Sequence, residues 1–313
     1  MGRDWALYER GLKDRKRHLV EFLLQQPTKG QLGAELEGMN KRKNGPPFQL
    51  PESIIQFSMF LKSVFPVDDR TLIIFISGLL DRWMKTGKEF CHSALVKRRD
   101  KVDFDFPSRI SPEHLKGKRI YFDGVCYRLG RGGYYRSKQY NTPVKYIRIG
   151  VFTDEQGHAL DFCIGDEHDA EISMIREKMP LITKSGAEAL VVDGAGMAHD
   201  VVVDLTKAGI RPVIRASDQV KAAYKNKPPP TRLAKPKKEE EIIWERYIQA
   251  QQDHDKWKKE SGYTMRWPYS EGYFSALKRG FGETVVSRCP KGIHDELCVK
   301  FLLKEAATPL LWG

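Results

Sequence analysis

The hydrophobic rhythm of the chain changes near residue 117. Upstream, apolar positions recur at helical spacing. Ile54, Ile55, Phe57, Phe60, Leu61 and Val64 share one broad face, with Pro51 just ahead of them, which predicts an amphipathic helix with a marked start. "DDRTLIIFISGLLDRWMKTG" predicts another, opened by Asp68 and Asp69. In "DWALYERGLKDRKRHLVEFLLQQ" the residues Leu19, Val20, Phe22, Leu23 and Leu24 follow a heavily basic turn. The Gly- and Lys-rich stretch after that first helix reads as a break.

Downstream the period shortens to that of strands. "RIYFDGVCYRL" alternates around Asp123, and "VKYIRIGVFTDEQGHALDFCIGDE" reads as two strands joined by a turn at Asp154 to Gly157, a hairpin signal. A helix over "HDAEISMIREKM", the strand "ALVVD", the helix "MAHDVVVDLTKAG" and the strand "RPVIRAS" follow. Three strands, helix, strand, helix, strand predict an α/β fold: an antiparallel unit extended by two strands through helical crossovers, with helices on the faces of a mixed sheet. Lys221 to Lys238 then carries seven Lys or Arg, four Pro and no acid, so it cannot pack a core and is expected to be a mobile basic loop. "EEEIIWERYIQAQQDHDKWKKESG" reads as an exposed helix ending near Gly262. "WPYSEGYFSALKRGFGE" opens with Pro268 and closes with Gly280 and Gly282.

Composition narrows the function classes. The net charge is +12, and residues 1–100 hold 18 basic and 12 acidic side chains, half of the excess. A basic excess of this size favours a polyanionic partner; the first hundred residues are either a nucleic-acid-binding region or a solvated helical bundle. No run of 18 apolar residues is present and no leader pattern is read at the N-terminus, so a soluble cytoplasmic protein with no membrane partner is expected. Five cysteines without a Cys-x-x-Cys pair argue against a disulfide framework and a zinc ribbon.

The candidate chemistry is carboxylate chemistry. Asp123 lies within the first strand, Asp193 at the tip of the fourth and Glu271 near the start of the last clear helix. First and fourth strands are neighbours in the inferred sheet, so two acids can face each other and a helix on that face can supply the third. Close carboxylates repel, and Mg²⁺ with its hard oxygen ligands removes that difficulty. For Asp193 alone an Asp-Gly turn remains open. A nucleotide-binding glycine loop fits "DGAGMAH" poorly, because His199 stands where a third small residue belongs. "RLGRGGYYRSKQY", with Arg128, Arg131, Arg136 and Lys138 among Tyr134, Tyr135 and Tyr140, is either a solvated hairpin loop or a loop that holds phosphates and stacks on bases. Asp169 reads as a helix cap, with His168 beside it as a second-shell group or DNA contact.

These residues together resemble the DDE transposases of bacterial and archaeal insertion sequences. "YTMRWPYSEGYFSALK" is similar to the family's last motif through Tyr263, Arg266, Glu271 and Lys278, and "FDG", "HDA" and "VVDGAG...AGIRPVIRAS" resemble it in order and context. One spacing departs: the family has three residues between its Arg and Glu, whereas four, Pro268 among them, separate Arg266 from Glu271. The resemblance implies a ribonuclease-H-like mixed five-stranded sheet with flanking helices over 113–313, carrying a basic helical insertion at about 218–262, after a helical DNA-binding region over 1–112. It implies that Asp123, Asp193 and Glu271 bind two catalytic Mg²⁺ ions, Mn²⁺ substituting, and that Lys278, Arg266 and Tyr263 contact DNA. The implied partners are double-stranded DNA, both transposon ends and target, and further copies of the chain in a homodimer or higher synaptic complex. The implied setting is the prokaryotic cytoplasm, at the nucleoid. A metal-dependent nuclease of the same fold and a catalytically inactive DNA-binding protein are the alternatives.

Overall fold

The computed structural model describes residues 17, 21, 29–65, 67–84, 90–99, 101–129, 146–166, 168–225, 238–287 and 289–307. The basic aromatic loop with Arg131, Arg136 and Lys138 lies outside them, as does nearly all of the expected first helix. The chain divides into two units: Pro107–Leu129 with Arg136–Ala276, and Met1–Phe106 with Gly130–Tyr135 and Leu277–Gly313.

The first of these units holds the one-turn helix α5 (Pro112–Leu115) and then β1 (Arg119–Leu129), β2 (Tyr146–Thr153), β3 (Ala159–Asp166), β4 (Ala189–Val192) and β5 (Arg211–Ile214) in a mixed sheet of order β3-β2-β1-β4-β5. β1, β2 and β3 are antiparallel neighbours, while β4 runs parallel to β1 and β5 parallel to β4. The turn between β2 and β3 forms as the sequence expects. Asp154 Oδ1 accepts from the Gln156 and His158 amides at 2.8 and 2.9 Å. The order of five strands matches the expectation; a sixth, Thr284–Val285, has two residues and falls in the other unit.

Alternation along the strands separates the two faces. Ile120, Phe122, Leu190, Val192 and Ile214 are buried with Met174 and Ile175 of α6 (Glu171–Ile182) and Val201, Val202 and Leu205 of α7 (His199–Lys207). Tyr121, Ala189, Val191 and Val213 bury the opposite face beneath Trp257, Tyr263 and Tyr269. Each large apolar side chain so buried contributes about 1.5–3 kcal/mol, and a sheet covered on both faces explains the unbroken apolar runs of β4 and β5.

The described residues of 218–262 are mostly helical as expected, but two helices stand where one was expected up to Gly262, and the stretch is tied to β5. It contains α8 (Asp218–Lys225), α9 (Glu239–Ala250) and α10 (His254–Ser261). The first five residues of the expected basic loop belong to α8, and 226–237 lie outside the described residues. Tyr247 Oη accepts from the Ile214 amide at 2.8 Å and donates to its carbonyl at 2.6 Å, while Gln251 bonds the Ala216 amide and the Ile214 carbonyl at 2.8 and 3.0 Å. These side chains complete the backbone bonding of an edge strand where its ladder stops. Asp253 accepts from the Lys256 amide and starts α10.

The other unit is helical: α1 (Lys29–Asn40), α2 (Glu52–Val64), α3 (Asp69–Met84), α4 (His92–Arg99), part of α11 (Gly272–Phe281) and α12 (Pro290–Ala306). Helix α1 occupies residues read as a break; Leu32 is fully buried, and the Glu35 carboxylate accepts from the Ser53 amide at 2.9 Å. The end of the chain, expected within the catalytic domain, is grouped here. Phe301 of α12 lies 5.8 Å from Phe106, ring to ring, and Lys291 donates to the Val102 carbonyl at 2.6 Å. Among the described residues no helix is long and apolar enough to cross a membrane.

Candidate active site

The strand tips set the site. β1 and β4 pair in the register Arg119↔Ala189 to Tyr121↔Val191. Carried two residues further, it sets Asp123 opposite Asp193, on the face that Tyr121 and Val191 share, because side chains alternate along a strand. Asp193 Oδ1 accepts from the Ala195 amide at 2.7 Å and caps the 3₁₀ turn Gly194–Gly196. The turn reading of Asp193 is therefore correct as local structure, and it leaves the residue at the edge that Asp123 occupies.

Glu271 arrives through an irregular turn. Helix α10 ends at Gly262, whose φ of 73° is left-handed; a Cβ there would also push against the Arg119 guanidinium, so glycine is favoured. A 3₁₀ turn, Tyr263–Met265, follows, and Trp267–Glu271 forms a single π turn in which the Gly272 amide bonds the Trp267 carbonyl. In an α-helix two residues five apart point about 140° away from each other. The wider π turn brings them together: Arg266 Nη2 lies 2.7 Å from Glu271 Oε1. Arg266 and Glu271, with four residues between them, thus meet within one turn. Ser270, fully buried, donates to the Arg266 carbonyl at 2.9 Å, and Thr153 of β2 donates to the Tyr269 carbonyl at 3.2 Å. The turn is tied to itself and to the sheet.

Arg266 also reaches β1. Its Nη1 is 3.4 Å from Asp123 Oδ1, with the Arg and Asp side chains 17% and 15% exposed. One guanidinium thereby bridges two of the three expected acids. Tyr263 supports it, the guanidinium carbon lying 5.9 Å from the ring centre, and its own ring is packed 5.2 Å from Trp257. Trp267, beside Arg266, is 69% exposed; an indole in water next to buried charges is a feature the sequence did not single out.

A fourth carboxylate, Glu171, joins the cluster from the first turn of α6. Its side chain lies over Gly124, where a Cβ would stand 2.6 Å from Glu171 Oε1, so the "FDG" glycine leaves the space that this acid fills. Burial is the main cause that pushes the Asp123 carboxyl up to about 7; Arg266 opposes the rise, and Glu171, Glu271 and Asp193 add to it in that order. The Glu171 carboxyl is likewise raised, by burial and then by Asp193, against Arg148 and Arg266. Asp123 thus feels the charge of the other three acids, and Glu171 that of Asp193. An isolated Glu at a helix start reads as a favourable partner for the helix dipole, which is why the sequence concealed its second role.

Asp169 does not cap α6 as expected. Ala170 is the N-cap and no side chain caps the helix; Asp169 Oδ2 instead accepts from the Asp166 amide at 2.7 Å, closing the end of β3. The Asp169 carbonyl accepts from Arg148 at 2.9 Å, and the His168 amide donates to Asp166 Oδ1 at 2.8 Å. Lys278 belongs to the helical unit, where its Nζ lies 3.5 Å from Glu283.

The donor set suits a hard divalent cation: several carboxylates, one of them kept from ionising at ordinary acidity by burial and like charge. Among the described residues, however, no three His, Cys, Asp or Glu side chains converge on one metal-binding point, and the positive charge between Asp123 and Glu271 is that of Arg266. No family model matches the chain, and no curated protein does.

Proposed function

We propose that the chain is a DNA transposase with a ribonuclease-H-like catalytic domain, binding the terminal inverted repeats of its element and carrying out strand cleavage and strand transfer. One observation carries the reading: Asp123 lies inside β1, Asp193 follows directly on the parallel neighbour β4, and a single turn supplies Arg266 in contact with both Asp123 and Glu271. The strand order and the net charge of +12 agree with it.

In this reading Asp123, Asp193 and Glu271 hold two Mg²⁺ ions, or Mn²⁺ in their place. Bound there, such ions supply Lewis-acid polarisation and neutralise charge in an in-line displacement at phosphorus. Asp123 stands inside β1 and Asp193 just past the end of β4, so the paired strands hold both backbones in place. Glu271 closes the set from a turn anchored to β2. In the first step the oxygen of water bonds to phosphorus at the element end, and the bond to the 3′ oxygen breaks, leaving a 3′-hydroxyl. In the second, that oxygen attacks a target phosphorus and displaces another 3′ oxygen. No covalent protein intermediate forms. Arg266 and Tyr263 lie where a backbone phosphate would approach; Lys278, Arg131, Arg136 and Lys138 are further DNA contacts in this proposal. Pairing of two ends requires at least two copies.

The test is Mg²⁺-dependent cleavage and joining of labelled end DNA by the wild type and by Asp193→Asn. Cutting and joining by the wild type, with only binding by the variant, supports the transposase. Cutting without joining describes a nuclease, and binding without cutting by either protein describes a DNA-binding module.

A further inference from the structure

Arg266 is the only basic side chain whose described ion pairs join two of the cluster's acids, and it does so with separate nitrogens: Nη2 at 2.7 Å from Glu271 and Nη1 at 3.4 Å from Asp123. Its backbone is fixed by the Ser270 hydroxyl and by the π turn, and its side chain is mostly buried against Tyr263. A guanidinium is a fixed positive charge with a planar fork suited to oxygen pairs. A divalent ion drawing on Asp123 and Glu271 would take the oxygens this fork now uses and would stand within a few ångströms of a like charge.

We propose that Arg266 is the resident counter-cation of the carboxylate cluster, and that Arg266 and a divalent metal ion exclude each other from Asp123 and Glu271. The proposal rests on reading the cluster as a metal site. Arg266 keeps the metal-free enzyme folded without uncompensated acids, and it withholds the site until the guanidinium takes another anion. A DNA phosphate offers the same fork a pair of oxygens, so DNA arrival and metal loading favour each other, as linked binding requires. The π turn has a role here, since it is what aims Arg266 at Glu271.

The test is titration of chelator-stripped, full-length protein with Mn²⁺, followed by calorimetry and by the spin resonance of free Mn²⁺, without DNA. Arg266→Ala and Arg266→Gln are compared with the wild type, and circular dichroism confirms that each is folded. The variants are expected to bind Mn²⁺ more tightly by roughly ten-fold or more, and the tight site is expected to vanish when Asp123→Asn is added. Equal or weaker binding by the folded variants, with Mn²⁺ still bound and still dependent on Asp123, overturns the role of Arg266 and leaves the metal site standing. Absence of Mn²⁺ binding in every folded protein overturns the metal site itself, and this inference with it. If the variants fold only when Mn²⁺ is present, the exchange of one cation for the other is supported; if saturating Mn²⁺ does not restore them, it is overturned.

Discussion

Replacing Asp123 with Asn tests the electrostatics of the cluster without any assay of activity. The Asp123 side chain is 15% exposed, and its carboxyl is pushed from the ordinary 3.8 up to about 7, chiefly by burial and, against the pull of Arg266, by Glu171, Glu271 and Asp193. The folded state therefore holds a proton that the unfolded chain has released. Stability is present in full at low pH and is lost as pH rises from about 4 through about 7. At about 1.36 kcal/mol for each pH unit, the full loss is about 4 kcal/mol. Asn cannot ionise, so the variant escapes that loss while giving up the 3.4 Å contact with Arg266. In chelator-treated protein unfolded with denaturant, the advantage of Asp123→Asn over wild type should grow by about 2.5 kcal/mol between pH 5 and pH 8. Adding Glu171→Gln to the wild type should flatten part of the same slope. A gap between Asp123→Asn and wild type that stays constant over this range, or a variant less stable at pH 8, would refute the account of the site as crowded like charge.

Other expectations follow from the scaffold. Tyr247→Phe leaves the buried Ile214 amide without its acceptor and should cost about 1–3 kcal/mol, read as a lower denaturation midpoint. Gly262→Ala forces a left-handed residue beside the Arg119 guanidinium and should cost about 1–2 kcal/mol, with the largest loss of amide protection in α10 and the turns after it. Asp200→Ala breaks the pair with Arg176 at 2.7 Å, but both side chains are half exposed, so stability should change by less than ~1 kcal/mol and less again in high salt; a larger change would show that α6 and α7 depend on that pair.

Much of the sheet was legible because its signals are local. β1 spans the residues whose alternation announced it, and Asp154 with Gly157 closes the hairpin where the turn chemistry placed it. The parallel pairing of β1 with β4 follows from the order of strands and crossover helices. Other features depend on distant partners. Three glycines hide the helix α1, which Leu32 and the Glu35 contact with Ser53 hold in place. Tyr247 and Gln251 look like surface residues of a polar helix until the backbone of β5 is beside them. Glu171 joins the acids only because Gly124 lacks a side chain, and Arg266 meets Glu271 only because the turn between them is wide.

That wide turn also bears on how a motif is defined. A rule written as an arginine, a fixed count of residues and a glutamate describes one helical geometry, and it would pass over a chain with one residue more. Here a single loosened turn brings two side chains five residues apart to facing positions. Residues five apart in such a turn then face each other as residues four apart do in a regular helix. At such a position the kind of turn, and not the residue count alone, decides whether two charges meet.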